Sequence, residues 1–232
     1  MSRQRSWTRR AFLQGTSAGV AILSPALLTG AAEQSAQATT YVPHFFTKSE
    51  WNFIGAAVDR LIPADAAGPG GVEAGVPEFL DRQLDSPYGY GAFAYMQGPF
   101  LPDSPPQLGY QLSYTPRELY RLGIAAADAQ SRKLHDRLFF ELEPARQEDF
   151  LTQLEHGAVQ ISGPPAQAFF EQLLANVKEG YFADPIYGGN RHMGAWKMIG
   201  FPGARADFTD WIDQPGKGYP YGPVSIAGRS GA

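Results

Sequence analysis

Apolar residues recur at helical spacing through most of the chain beyond residue 38, and each run opens on a recognisable start. Thr47-Lys48-Ser49-Glu50 has the form of a capping box, in which threonine and glutamate satisfy each other's backbone amides. It predicts a helix with Trp51, Ile54, Val58 and Leu61 on one stripe, closed by Pro63. Gly68-Pro69-Gly70-Gly71 is a break, and Pro77 suits the first turn of a second helix with Phe79, Leu80 and Leu84 inward. Thr115-Pro116-Arg117-Glu118 combines an N-cap, a proline and a box glutamate. The helix it opens is predicted to run to about Leu138, with Leu119, Leu122, Ala126, Leu134 and Leu138 inward. Further helices are predicted from Pro144 to His156, around Phe150, Leu151 and Leu154, and from Pro165 to about Glu179. The latter turns Phe169, Phe170, Leu173, Leu174 and Val177 inward, with Gly180 as its C-cap.

Residues 86–114 show no period and are rich in Gly, Pro, Tyr and Gln. A loop of that length in a folded domain is usually functional or packed on something. Asp184-Pro185-Ile186-Tyr187-Gly188-Gly189-Asn190 is turn chemistry throughout, and Gly194–Gly200 is a short apolar piece. From Asp213 the chain is Gly/Pro/Ser-rich and is predicted to lie extended. No alternating strand pattern and no internal repeat is present. The expected fold is all-α: a single helical domain over 39–232 with long ordered loops and an extended C-terminal tail.

Composition narrows the chemistry. The 232 residues include no cysteine, which removes thiolate nucleophiles, disulfides, Cys-held zinc, iron–sulfur clusters and c-type haem attachment. With 19 Lys+Arg against 23 Asp+Glu the net charge is −4, against the basic excess of an electrostatic nucleic-acid binder. Gly and Pro together, 26 and 19, make about a fifth of the chain, below the level that signals disorder.

Residues 1–38 read as an export signal. Arg3, Arg5, Arg9 and Arg10 precede a moderately apolar stretch from Ala18 to Leu28, and Ala36-Gln37-Ala38 has the form of a cleavage site. Arg9-Arg10 followed by Phe12-Leu13 resembles the twin-arginine export motif, an address read by the twin-arginine translocase rather than an anchor. The apolar stretch is shorter than the ~20 residues of a membrane helix. That route carries proteins already folded, so a cysteine-free chain with no cofactor motif points to a partner that folds around a cofactor first. Without residues 1–38 the chain would lose four Arg and Glu33, leaving 15 basic and 22 acidic side chains, a net −7.

Candidate chemistry is sparse. His44, His135, His156 and His192 stand apart, and none lies three or four residues from another as a metal or haem pair on one helix face would. Glu141 and Glu143 form no evident acid/base pair. Gly68–Gly75 follows no strand and lacks the Gly-Lys-Ser/Thr of a phosphate loop, and no Gly-x-Ser-x-Gly elbow occurs. The turn at Asp184–Asn190 is the most distinctive feature. Asp184 is expected to cap backbone amides there. Tyr181, Asp184, Tyr187, Asn190 and Trp196 are the candidate partner interface, aromatics on rigid turns being good anchors as well as good core.

Several segments in order carry a resemblance. They are Phe46-Thr47 with Glu50, Leu61-Ile62-Pro63-Ala64-Asp65, Gly68-Pro69-Gly70 with Glu73-Ala74-Gly75-Val76, and Phe79-Leu80-Asp81. Tyr95 with Gly98-Pro99-Phe100, Pro116 with Glu118-Leu119-Tyr120-Arg121, and Phe169-Phe170 follow. The series ends with Glu179-Gly180, Asp184-Pro185, Tyr187-Gly188-Gly189-Asn190, Gly194, Trp196-Lys197 and Ile199-Gly200-Phe201-Pro202-Gly203. Over roughly 45–211 this resembles the gluconate 2-dehydrogenase subunit 3 family, also called the gamma or small subunit. The resemblance implies a non-catalytic accessory subunit of a periplasmic, membrane-bound sugar dehydrogenase. It implies a large partner subunit that carries FAD and a multihaem cytochrome c subunit that passes electrons on. The small subunit would escort and stabilise the large one at the periplasmic face of the inner membrane, with no catalytic, cofactor or metal residue of its own. The alternative is a stand-alone periplasmic module binding a sugar acid, which would need an aromatic pocket with Arg or Lys for the carboxylate.

Overall fold

The computed structural model describes residues 41–159 and 161–228. The export signal predicted at 1–38, with Arg9, Arg10, Phe12 and Leu13, lies outside them. Among the described residues six α-helices follow one another: α1 (Lys48–Leu61), α2 (Val76–Leu84), α3 (Pro116–His135), α4 (Pro144–Glu155), α5 (Ala166–Phe182) and α6 (Gly194–Ile199). No strand is present among them. Two isolated bridges pair Gly203 with Val224 and Ser225 with Gly228. The all-α expectation holds.

Both capping boxes form as their residues dictate. The Thr47 and Thr115 hydroxyls accept from the amides of Glu50 and Glu118 at 3.4 and 3.3 Å. Each glutamate carboxylate accepts the threonine amide at 2.8 Å. Glu50 has a second task, since Arg121 of α3 pairs with it and also donates to the Phe45 carbonyl, tying α3 to the start of α1.

Helix α5 is the axis of the fold and packs against each of the other five helices. Phe169, Leu173 and Val177 are fully enclosed, and Phe169 meets Tyr120 of α3 edge-on at 5.9 Å and Phe53 of α1 at 6.2 Å. Phe53 in turn packs on Phe139, and Phe139 on Phe150 of α4, so one run of rings crosses the core.

The structure corrects several predicted faces. In α1 the buried residues are Phe53, Ile54, Ala57 and Val58, and Trp51 and Leu61 sit at the margin. In α3 the buried face runs through Leu119, Tyr120, Gly123, Ile124 and Ala127, while Leu122 and Leu134 face solvent, and the helix ends at His135. The reason is closeness of fit. A Cβ on Gly123 would lie 2.4 Å from the Phe169 ring, so the small residue lets the two helices touch where a leucine could not. Gly180 is not a C-cap. It lies inside α5, which continues to Phe182, and a Cβ there would meet the Phe79 ring at 2.6 Å. Glycine is required at that point by the close approach of α2.

Two buried polar nodes fasten loops to this core. Asp81 of α2 is fully buried and accepts four hydrogen bonds: Tyr41 Oη and the His44 amide at 2.7 Å, and the Phe45 and Phe46 amides at 3.0 and 2.8 Å. A buried carboxylate needs such partners, and here four donors from the segment 41–46 supply them. Burial, and then the Asp81 hydrogen bond, push the Tyr41 phenol well above its ordinary range. The second node is Asn176 of α5. Its Oδ1 accepts from Tyr120 Oη at 3.1 Å and Tyr88 Oη at 3.2 Å, and its Nδ2 donates to Glu179 at 2.8 Å. Burial raises both phenols, so they stay protonated donors.

Candidate functional site

The turn that the sequence singles out is braced from within. The Asp184 carboxylate accepts from the Ile186 amide at 3.1 Å, which is the predicted cap. It also accepts from Ser225 Oγ at 2.7 Å and the Ile226 amide at 2.8 Å, which fastens the tail. Asn190 is fully buried, donating through Nδ2 to the Ala183 carbonyl and accepting the Ala195 amide on Oδ1. Trp196 Nε1 donates to the Phe182 carbonyl at 2.8 Å, and Tyr181 Oη to the Pro69 carbonyl at 2.7 Å. Asn190, His192 and Met193 all hold left-handed backbone, with φ of 46°, 56° and 56°. Such residues persist only where their surroundings over-determine them, and these hydrogen bonds do so. Arg191 between them reaches back to Glu78 of α2 at 2.5 Å.

Of the five residues expected at a partner interface, Tyr181, Asp184, Asn190 and Trp196 are therefore buried and spend their polar atoms on this chain's own backbone and on Ser225 Oγ. Only Tyr187 is half-exposed. A partner can touch this turn at Tyr187, and at the other four only by opening it.

The surface points elsewhere. Tyr90, Phe93, Tyr95, Leu101 and Leu108, all on the irregular segment 86–114, are between 59% and 80% exposed. The segment carries one charged residue, Asp103, in 29 positions, and seven aromatic residues. Its ends are held firmly. Tyr88 is tied to Asn176, and the Gly89 carbonyl accepts the Arg117 amide at 3.1 Å. A Cβ on Gly89 would lie 2.0 Å from the Leu84 carbonyl oxygen, so the close return of the chain needs glycine. Arg117 lies over the Tyr90 ring at 4.3 Å. At the far end Tyr110 Oη donates to the Tyr114 carbonyl at 2.7 Å, and burial pushes this phenol up to about 12. The sequence signal for this surface was the scarcity of charge among the aromatics, a composition that interface cores share.

Between this segment and α5 runs an open groove of about 520 Å³, lined among others by Tyr110, Gln111, Gln167, Glu171 and Gln172. It offers an aromatic ring and amides, and its one charge is a carboxylate. A sugar acid needs the opposite charge. A smaller groove brings Tyr41, His44, Arg82 and Asp85 together, but Arg82 already pairs with Glu78. Among the described residues no three His, Asp or Glu side chains gather as a metal site would, and no helix is long and apolar enough to cross a membrane.

A family model described as gluconate 2-dehydrogenase subunit 3 matches residues 48–203. The chain belongs to that family. The match opens on the first residue of α1 and closes beyond α6, so all six helices, the aromatic segment and the braced turn lie within what defines a subunit 3. Comparison with curated proteins and with solved structures found no match. A subunit 3 is by name one part of an assembly, which implies partner subunits. The tail from Ala204 to Gly228, latched through Ser225 and Ile226 to Asp184, follows the matched region.

Proposed function

We propose that this chain is the small accessory subunit of a periplasmic, membrane-bound sugar dehydrogenase. Its role is to carry the FAD-bearing large subunit through export and to stabilise it afterwards. The chemistry and the flavin reside in that large subunit, and haem c in a cytochrome subunit reached through it. The observation that carries this reading is the family match across all six helices. Three further features support it. Arg9-Arg10 with Phe12-Leu13 forms an address for folded cargo, and the chain contains no cysteine. A broad aromatic surface stands exposed on a firmly anchored segment. The polar groove beside that surface has a carboxylate as its one charge and so does not itself suit a sugar acid.

The test is export of the partner. Replacing Arg9→Lys and Arg10→Lys together is expected to leave the flavoprotein in the cytoplasm, with dye-linked sugar oxidation lost from the periplasmic fraction. The wild-type chain purified alone is expected to show no flavin absorbance and no dye reduction. Normal periplasmic activity in the double variant, or turnover by the isolated chain, would refute the proposal.

A further inference from the structure

We infer that the segment 86–114 is the face that docks on the flavin-bearing subunit, with Tyr90, Phe93, Tyr95, Leu101 and Leu108 as anchors. The inference rests on the accessory-subunit reading and adds where the contact lies. Size is the first argument. An aromatic side chain buries roughly 150–250 Å², so five large apolar groups at this exposure present on the order of 600 Å². A specific interface takes about 800 Å² from each partner, so these five side chains offer most of the area that one would need. Charge is the second. One charged residue in 29 positions matches the charge-depleted centre of an interface and calls for an equally neutral, apolar partner surface. It does not suit an anionic lipid surface, which recruits Lys and Arg, because the segment has neither. Rigidity is the third. Tyr88 on Asn176 and Gly89 on Arg117 hold one end and Tyr114, packed against the core, holds the other, so the segment is fastened at both ends before any partner arrives. The exposed group at Met198, Ile199 and Phe201 is smaller and has Lys197 among its residues, and it serves as the control surface.

The experiment co-expresses the whole complex with an affinity tag on the flavin subunit and measures how much of this chain is recovered with it. The double variant Phe93→Glu, Tyr95→Glu is expected to be recovered at least tenfold less than wild type, and Ile199→Glu at the wild-type level. The milder Phe93→Ser, Tyr95→Ser pair is expected to lose several-fold, with helicity and Tm unchanged for all three variants. Recovery of both Phe93/Tyr95 variants at the wild-type level overturns the docking face while leaving the accessory role standing. So does an isolated chain that sediments as a dimer and is made monomeric by Phe93→Glu, since the face would then join two copies of this chain. If wild-type chain itself is not recovered with the flavin subunit, the accessory reading fails and the docking face falls with it.

Discussion

Asp81 shows what one buried carboxylate can organise. It takes three consecutive backbone amides and a phenol from a segment 35 to 40 residues earlier in the chain. Tyr41→Phe removes one of those donors and is expected to cost about 1 kcal/mol at neutral pH. The pH dependence has a definite sign. The Tyr41 phenol is raised in the folded state above the 10.0 of the free group, by burial first and by Asp81 second. Its stabilising contribution is therefore complete below pH 10 and is lost as the pH rises from there through the folded value. Urea denaturation at pH 7 and at stepwise higher pH should show the wild type and Tyr41→Phe converging on the alkaline side. A gap that widens there would contradict the arrangement. Asp81 itself was visible in the sequence only as the last residue of Phe79-Leu80-Asp81, because a carboxylate's partners are set by which chain segment returns to it.

Helix starts were legible, and helix faces only in part. A capping box is a local device of four residues, so Thr47–Glu50 and Thr115–Glu118 announce themselves wherever the rest of the chain goes. Burial of a face is decided by what arrives opposite. Reading α3 by apolar bulk selects Leu122 and Leu134, but the structure turns inward the face that carries Gly123, where the Phe169 ring comes too close for anything larger. The same physics moved Gly180 from a terminus to the interior of α5. Gly180→Ala gains helix propensity of about 0.8–1 kcal/mol, yet places a methyl 2.6 Å from the Phe79 ring, itself enclosed by α2 and α5. Overpacking of that kind costs roughly 1–3 kcal/mol. The clash is expected to win, giving a lower Tm and a net loss of about 1 kcal/mol. A Tm at or above wild type would show that α2 can slide away freely.

At the scale of the molecule, the sequence conveyed the fold class, the family and the existence of a distinctive turn, but not that four of the five residues expected at a partner interface there are buried. Asp184, Asn190, Tyr181 and Trp196 were conspicuous as residue types, but their polar atoms close on this chain's own carbonyls, amides and hydroxyls. The turn acts as a hasp for the tail. Asp184→Ala is expected to free residues 204–228 while leaving the six helices in place. Limited proteolysis should then cut between Ala204 and Val224 about tenfold faster, the equivalent of ~1.4 kcal/mol of lost closure. Unchanged cleavage would mean that the Gly203–Val224 bridge holds the tail unaided. The node at Asp81 carries a different consequence, one of timing. A chain emerging from the ribosome cannot fasten residues 41–46 until α2 has been made and coiled, so the front of the described protein learns of success only from a helix still to come.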